Sequence, residues 1–106
     1  MKRYELDIEK SKEVFDYCKD HLQIKMCYNN IFEVVTDFNS KFRSGEFKVA
    51  YGYMSVMANL YCRHCFVIDN NGAVIDPTIF LQSNPNEQRE YFAMKIFDDV
   101  DVYINA

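Results

Sequence analysis

The segment from residue 60 to residue 76 constrains the fold of this chain most, because it has the pattern of a β-hairpin with a defined register. Residues 60–68 and 73–76 have the composition and patterning of strands. Between them, Asn70-Asn71-Gly72 suits a three-residue loop in which a type I turn is followed by a left-handed glycine. Pro77, which has no N–H for a ladder, ends the second strand. The segment therefore predicts two antiparallel strands joined by a tight turn.

The predicted loop fixes which residues of the hairpin face each other. Asp69 pairs with Ala73, so that Asp76 lies opposite Phe66 and His64 lies two residues further along the same face. Diagonal neighbours of this kind are roughly 7–8 Å apart at the backbone, which is within reach of an imidazole and a carboxylate. Asp76 is therefore expected to orient His64 by accepting its ring N–H. A one-residue change in the loop would reverse this arrangement.

The rest of the chain predicts two helices followed by strands. Residues 8–22 and 27–42 carry apolar side chains at three- and four-residue steps, which is typical of amphipathic helices. From Phe47 to Tyr53 the apolar period changes to two, and residues 91–97 predict a further strand. The expected fold class is therefore α+β, with two N-terminal helices packed on an antiparallel β-meander of about four strands.

Composition predicts one globular domain over residues 1–106 and disfavours several functional classes. Hydrophobic residues make up 49% of the chain, which is enough for a packed core. No apolar run approaches the ~18 residues that cross a bilayer, and the charged start lacks the apolar segment of a signal peptide. A cytoplasmic location without a membrane partner is therefore expected, with reduced cysteines. The net charge of −4 and the dispersed basic residues disfavour nucleic acid as a partner.

Cys27 lies at the predicted start of the second helix, where a thiol has unusual chemistry. The helix dipole and the free backbone N–H groups of the first turn stabilise a thiolate. The same N–H groups can bind an oxyanion. A helix packed on the sheet would bring Cys27 beside His64, which would act as general base and acid, with Asp76 as the third member. Each of these residues taken singly is more often structural than catalytic, so their joint geometry carries the hypothesis.

The same residues resemble the papain-like and transglutaminase-like cysteine hydrolase superfamily, which includes the arylamine N-acetyltransferases and NlpC-type enzymes. Its members carry Cys at a helix start, His on a strand and Asp or Asn on the next strand, in that order. The chain is also similar to small bacterial and phage proteins with the pattern Cys-Tyr-x-Asn, Tyr-x-x-Gly-Tyr, His-x-Trp-x-Val and Gly-x-Val-Ile-Asp-Pro-Thr. The corresponding segments lie within residues 23–97 and are Cys27-Tyr28-Asn29-Asn30, Val49-Ala50-Tyr51-Gly52-Tyr53, His64-Cys65-Phe66-Val67 and Gly72-Ala73-Val74-Ile75-Asp76-Pro77-Thr78, with Phe66 where Trp is common.

The resemblance implies a minimal papain-like fold and a catalytic triad that needs neither cofactor nor metal. The substrate would be a small-molecule or peptide acyl compound, whose amide, ester or thioester forms a covalent acyl-enzyme. Papain-like enzymes place a Gln shortly before the cysteine, which makes Gln23 a candidate oxyanion donor. Asn30, one helical turn after the cysteine, and Tyr53, on a strand beside the site, are further candidates for contact with substrate or oxyanion. Proteolysis, deamidation and acyl transfer all share this machinery.

Two other functional classes are consistent with the sequence. The chain is shorter than most active members of the superfamily, so an inactive binding or inhibitor module with a protein partner, of the kind that phages encode, is one alternative. A small zinc-binding domain is the other, with Cys18-x-x-His21 and Cys62-x-x-Cys65 as ligands. Cys62 and Cys65 lie in a predicted strand, where a separation of three places them on opposite faces and disfavours zinc. The strand and the expected reducing compartment disfavour a disulfide between them. A thioredoxin-like site is disfavoured because that motif lies at a helix N-terminus and not within a strand.

Overall fold

The computed structural model describes residues 2–57, 59–82 and 84–106 and contains a mixed set of short helices and strands. The elements in chain order are β1 (Lys2–Tyr4), α1 (Ile8–Cys18), a 3₁₀ turn (Lys19–His21), α2 (Cys27–Asp37), α3 (Asn39–Arg43), β2 (Phe47–Met57), β3 (Leu60–Asp69), β4 (Val74–Ile75), a second 3₁₀ turn (Pro77–Leu81), β5 (Tyr91–Phe97) and α4 (Val100–Ile104). Among the described residues, no helix has the length and apolar character that crossing a bilayer requires. The α+β class is confirmed.

The five strands form one antiparallel sheet in the order β1-β5-β2-β3-β4. The predicted meander is wrong in this respect, because β5 pairs with β2 on the inner side of the sheet and not with β4. The additional strand, β1, pairs with β5 through only three residues. A charged three-residue strand is too short to show a period of two, so its sequence does not reveal it.

The helices also differ from the prediction of two N-terminal helices. The predicted helix over 27–42 is divided at Phe38, whose φ of −116° and ψ of 34° leave the helical region. A fourth helix follows the last strand, beginning after Asp99, whose side chain accepts a hydrogen bond from the backbone N–H of Asp101. Five residues make little more than one turn, too few for apolar periodicity to identify a helix.

The sheet separates two hydrophobic cores. On one face, Cys65 and Val67 of β3 pack with the buried stripes of α1 and α2. On the other face, Phe66 and Ile68 pack with Ile79 of the second 3₁₀ turn and with other buried side chains. Successive residues of a strand point to opposite faces, so β3 contributes to both cores. The candidate site lies at the edge of the sheet where β3 extends beyond β4.

Candidate active site

The β3–β4 hairpin has the register that its turn predicts. Val67 pairs with Ile75 and Ile68 with Val74, while the Asp69 N–H donates to the Ala73 carbonyl at 2.9 Å. Gly72 has a φ of +82°, as a left-handed residue at the end of this loop requires. The predicted proximity of the imidazole and the carboxylate follows from this register.

His64 and Asp76 form a buried pair. Nε2 of His64 lies 2.8 Å from Oδ2 of Asp76, and the two residues are 4% and 0% exposed. Burial raises the pKa of the carboxyl group, but the His64 imidazolium and two hydroxyl donors lower it more, so the net shift is downward. Asp76 is therefore held as a carboxylate, and the His64 Nε2–H donates to it.

Three further groups fix the position of Asp76. Thr78 Oγ1 donates to Oδ1 and the Tyr91 hydroxyl donates to Oδ2, each at 2.7 Å. The backbone N–H of Asp76 donates to Oγ of Ser11 at 2.9 Å, which links the site to α1. A buried carboxylate is costly unless its lone pairs are satisfied, and here both oxygens accept hydrogen bonds from named donors.

Cys27 is the first residue of α2 and is half-buried beside His64. β4 pairs only with Val67 and Ile68, and no other described strand pairs with the earlier part of β3 on that side. The thiol lies at this open edge, where the backbone N–H of Cys65 donates to it. Burial raises the pKa of the Cys27 thiol, but the hydrogen bonds from the His64 ring and from the Cys65 N–H lower it more. The net effect favours a thiolate.

The imidazole is held between the carboxylate and the thiol. Burial lowers the pKa of His64, whereas the charge and hydrogen bond of Asp76, followed by those of Cys27, raise it to about 10. Because Nε2 faces Asp76, Nδ1 is the ring nitrogen left to face the thiol. Both shifts favour a thiolate–imidazolium pair, the reactive form of a cysteine nucleophile.

A surface cleft of about 430 Å³ opens onto this pair. Its lining contains the thiol and the imidazole together with apolar, basic and neutral polar side chains. The lining residues are Ile24, Lys25, Cys27, Met54, Val56, Cys62, Arg63, His64, Thr78 and Gln82. Asp76 lies behind His64 and is fully buried. A molecule in the cleft can thus reach the sulfur and the His64 ring while the carboxylate stays out of contact with solvent.

The other predicted site residues are not in the lining of this cleft. The side chain of Gln23 is exposed, and its backbone is bound by Asn30, whose Nδ2 donates to the Gln23 carbonyl at 2.7 Å and whose Oδ1 accepts from the Gln23 N–H at 2.8 Å. Asn30 is buried, so it positions the connector before Cys27 and does not face the cleft. Tyr53 is half-buried on β2, opposite Arg63.

Sequence reasoning missed Thr78, Tyr91 and Gln82. Thr78 follows Asp76 in the Asp-Pro-Thr segment and could have been found there, because a hydroxyl two residues after a carboxylate often bonds to it. Tyr91 is on β5 and meets Asp76 only through the sheet topology. Gln82 lines the cleft, and its Oε1 accepts a hydrogen bond from Arg89 at 3.0 Å.

The four residues of the zinc alternative differ in burial and in their neighbours. Cys65 is buried under α2, whereas Cys62 is exposed in the cleft. Cys18 is buried on α1 and is hydrogen-bonded to Asp37, which also lies 3.2 Å from Nδ1 of His21. Within residues 2–57, 59–82 and 84–106, no three or more His, Cys, Asp or Glu side chains converge as a metal site.

Comparisons with protein-family models, with curated proteins and with solved structures found no match to the chain. The features that bear on function are therefore the geometry of Cys27, His64 and Asp76 and the chemistry of the cleft around them.

Proposed function

We propose that the protein is a cysteine-dependent hydrolase or acyltransferase with a minimal papain-like site. The observation that carries the proposal is the position of His64, which shares one ring nitrogen with a buried carboxylate and faces a thiol with the other. Cys27 is the nucleophile, His64 is the general acid and base, and Asp76 holds the imidazole in one tautomer and orientation. The thiol lies at a helix N-terminus, where backbone N–H groups are available to a developing oxyanion.

In the first half of the reaction, the Cys27 thiolate attacks the carbonyl carbon of an amide, ester or thioester. A C–S bond forms, and the carbonyl π electrons move to oxygen to give a tetrahedral oxyanion. When the intermediate collapses, the bond to the leaving group breaks and the His64 imidazolium donates its proton to that group. The products of this half are the neutral imidazole, the released amine, alcohol or thiol, and a thioester between Cys27 and the acyl group.

In the second half, neutral His64 takes a proton from water or from another acceptor nucleophile. The acceptor oxygen, nitrogen or sulfur attacks the acyl-enzyme, and collapse of the second intermediate breaks the C–S bond. The acyl group leaves on the acceptor, and the thiolate–imidazolium pair is restored. Water as acceptor gives hydrolysis, whereas an amine, alcohol or thiol gives acyl transfer.

Capture of the acyl-enzyme tests the proposal. The protein is incubated with a panel of aryl esters and thioesters, quenched in acid, and analysed by intact mass and peptide mapping. We expect an acyl adduct on Cys27, formed about 10²- to 10⁴-fold faster than on free cysteine because of acid–base assistance. Cys62→Ala should keep the adduct, and Cys27→Ala should lose it. An adduct that forms on Cys62 as fast as on Cys27 would refute the triad and favour a non-enzymatic binding module.

A further inference from the structure

The cleft at Cys27 is basic in a protein that is acidic. The whole chain carries a net charge of −4. Among the described residues that line this cleft, two are cationic, Lys25 and Arg63, and none is Asp or Glu. Two other surface clefts, by contrast, are lined by two and by three carboxylates. The positive lining is therefore a property of this site and not of the surface in general.

Both cations are near the nucleophile and available to a ligand. Lys25 precedes Cys27 by two residues, and Arg63 precedes His64 on β3. Neither forms an ion pair with a described residue. Both residues are exposed and line the same cleft as Cys27.

One part of the lining is apolar. Ile24, Met54 and Val56 contribute hydrophobic side chains to the cleft, and Ile24 is 60% exposed. A ligand that contacts these groups gains from burying apolar surface, and a ligand with a negative charge gains from Lys25 and Arg63. The two features together favour a compound with an apolar part and an anionic part.

We propose that the acyl substrates of this site carry a carboxylate or phosphate within a few bonds of the scissile carbonyl, bound by Lys25 and Arg63, next to an aliphatic portion that contacts Ile24, Met54 and Val56. This inference rests on the function proposed above and names the substrate class of the same site. A cation about 7 Å from an anion in a partly exposed site favours an anionic ligand over a neutral one by about threefold to tenfold, and two cations favour it more.

Alkylation of Cys27 measures the charge preference without any turnover. Iodoacetate and iodoacetamide attack by the same displacement of iodide by the thiolate and differ in charge. The ratio of their rates at Cys27 cancels changes in thiolate content, which affect both reagents equally. We expect the ratio in the double variant Lys25→Asn, Arg63→Gln to fall about fivefold or more below that of the parent at low salt. Asn suits position 25, because that residue has a φ of 62°.

The control variant is Lys19→Gln, which removes one exposed lysine from outside the cleft and should leave the ratio unchanged. In the parent, raising the ionic strength to 0.5 M should lower the ratio towards that of the double variant, because salt screens the attraction. A ratio that is equal in the parent and the double variant would overturn the inference. Failure of Cys27 to react faster than Cys62 with either reagent would instead refute the proposed function, so the two failures are distinguishable.

Matched acyl substrates then test the substrate class itself. Butanoyl, glutaryl and 4-aminobutanoyl thioesters of a neutral thiol vary the charge of the acyl part, and butanoyl thioesters of thioglycolate and 2-mercaptoethanol vary the leaving group. The anionic member of at least one series should react about tenfold faster than its neutral partner, and this preference should vanish in the double variant. Equal rates for anionic and neutral members in both series would overturn the inference.

Discussion

In the proposed reaction, His64 is the residue on which the chemistry depends, because it contacts both Asp76 and Cys27. Its Nε2 lies 2.8 Å from Asp76, and its ring hydrogen-bonds to the Cys27 thiol. Each interaction favours the charged form of the imidazole, and together they outweigh burial, which favours the neutral form. A carboxylate alone would give a buried ion pair of mainly structural importance, and the thiol is what makes the pair chemically reactive.

Removing the hydroxyl of Tyr91 tests whether its hydrogen bond stabilises the buried carboxylate of Asp76. In Tyr91→Phe, Asp76 loses one hydrogen bond of 2.7 Å while remaining fully buried. We expect the free energy of unfolding to fall by about 1–3 kcal/mol, as for other buried groups left without a partner. Tyr103→Phe is the matched control, because Tyr103 is buried in the other core, away from Asp76. Equal losses in the two variants, measured by denaturant titration, would contradict this role of the Tyr91 hydroxyl.

Among the residues of the site, the sequence identifies the three central groups but not the side chains that hold them. Cys27, His64 and Asp76 each have a local signal, namely a helix start, a strand and a hairpin register. Tyr91 has no local signal, since its contact with Asp76 crosses the sheet. Gln23 was proposed from family position, but its side chain is exposed and lies outside the lining of the cleft.

β3 is the element that brings the site together. Its later half is paired on both sides, whereas its earlier half has β2 on one side and the start of α2 on the other. A fully paired β3 would have used the Cys65 N–H in a ladder, and the thiol of Cys27 could not have accepted it. The short length of β4 is therefore what opens the sheet edge to the nucleophile.

Substitution of Gly52 tests how closely β5 approaches β2 beside His64. Gly52 lies opposite His64 in the register, and a Cβ at this position would lie 1.8 Å from the Phe92 carbonyl oxygen. Gly52→Ala is expected to destabilise the fold by more than about 4 kcal/mol, because the clash is with backbone. Gly72→Ala should cost only about 1–2 kcal/mol. Its φ of +82° is unfavourable for Ala, but no described heavy atom outside its chain neighbours lies within 4 Å of the added Cβ. Similar losses in thermal or denaturant unfolding would contradict this contrast.

Substitution of Asn30 tests whether residues 23–26, which connect to α2, position the Cys27 thiol. Asn30→Ala removes two hydrogen bonds to the backbone of Gln23 and should lower stability by about 1–3 kcal/mol. Because the connector leads directly to Cys27, we also expect slower alkylation of the thiol under conditions in which the variant is fully folded. Asn29→Ala, an exposed neighbour, is the control. An unchanged alkylation rate in a folded Asn30→Ala variant would show that the hydrogen bonds between Asn30 and Gln23 contribute to stability alone.

At the scale of elements, the sequence predicted the β3–β4 hairpin best and the sheet order worst. The hairpin is local, and its turn chemistry determines its register. The pairing of β5 with β2, and the addition of β1 to the edge, depend on contacts between segments far apart in sequence. Neither a period of two nor a turn signal distinguishes a meander from this order.

For the whole molecule, the thiolate–imidazolium pair predicts an unusual dependence of stability on pH. A group whose pKa is raised in the folded state contributes stability that is present below its unfolded pKa and lost as pH rises through the folded value. His64 behaves in this way between its ordinary 6.5 and about 10. Cys27 has the opposite effect below its ordinary 9.0, because its pKa is lowered. Between these two ordinary pKa values the contribution of Cys27 therefore opposes that of His64, which flattens the pH dependence of stability.

Cys27→Ala removes this compensation. Asp76 still holds the pKa of His64 above its ordinary value, so the folded state keeps one proton that the unfolded state has lost. Stability should therefore fall as pH rises from 7 to 8.5, by up to about 1.4 kcal/mol per pH unit, relative to the parent. Cys62→Ala, which alters an exposed thiol of the same cleft, should follow the parent. Parallel pH profiles for Cys27→Ala and the parent would contradict the ion pair.

The most direct test of the central claim is the rate at which Cys27 reacts with iodoacetamide between pH 5 and 8, followed by peptide mass mapping. The proposed thiolate predicts a rate at Cys27 that changes little across neutral pH, while free cysteine slows about tenfold per pH unit below its ordinary pKa. His64→Gln, which keeps a hydrogen-bonding side chain beside Asp76, should restore the tenfold dependence. A Cys27 rate in the parent that follows free cysteine across this range would show that the thiol is not activated and would contradict the account.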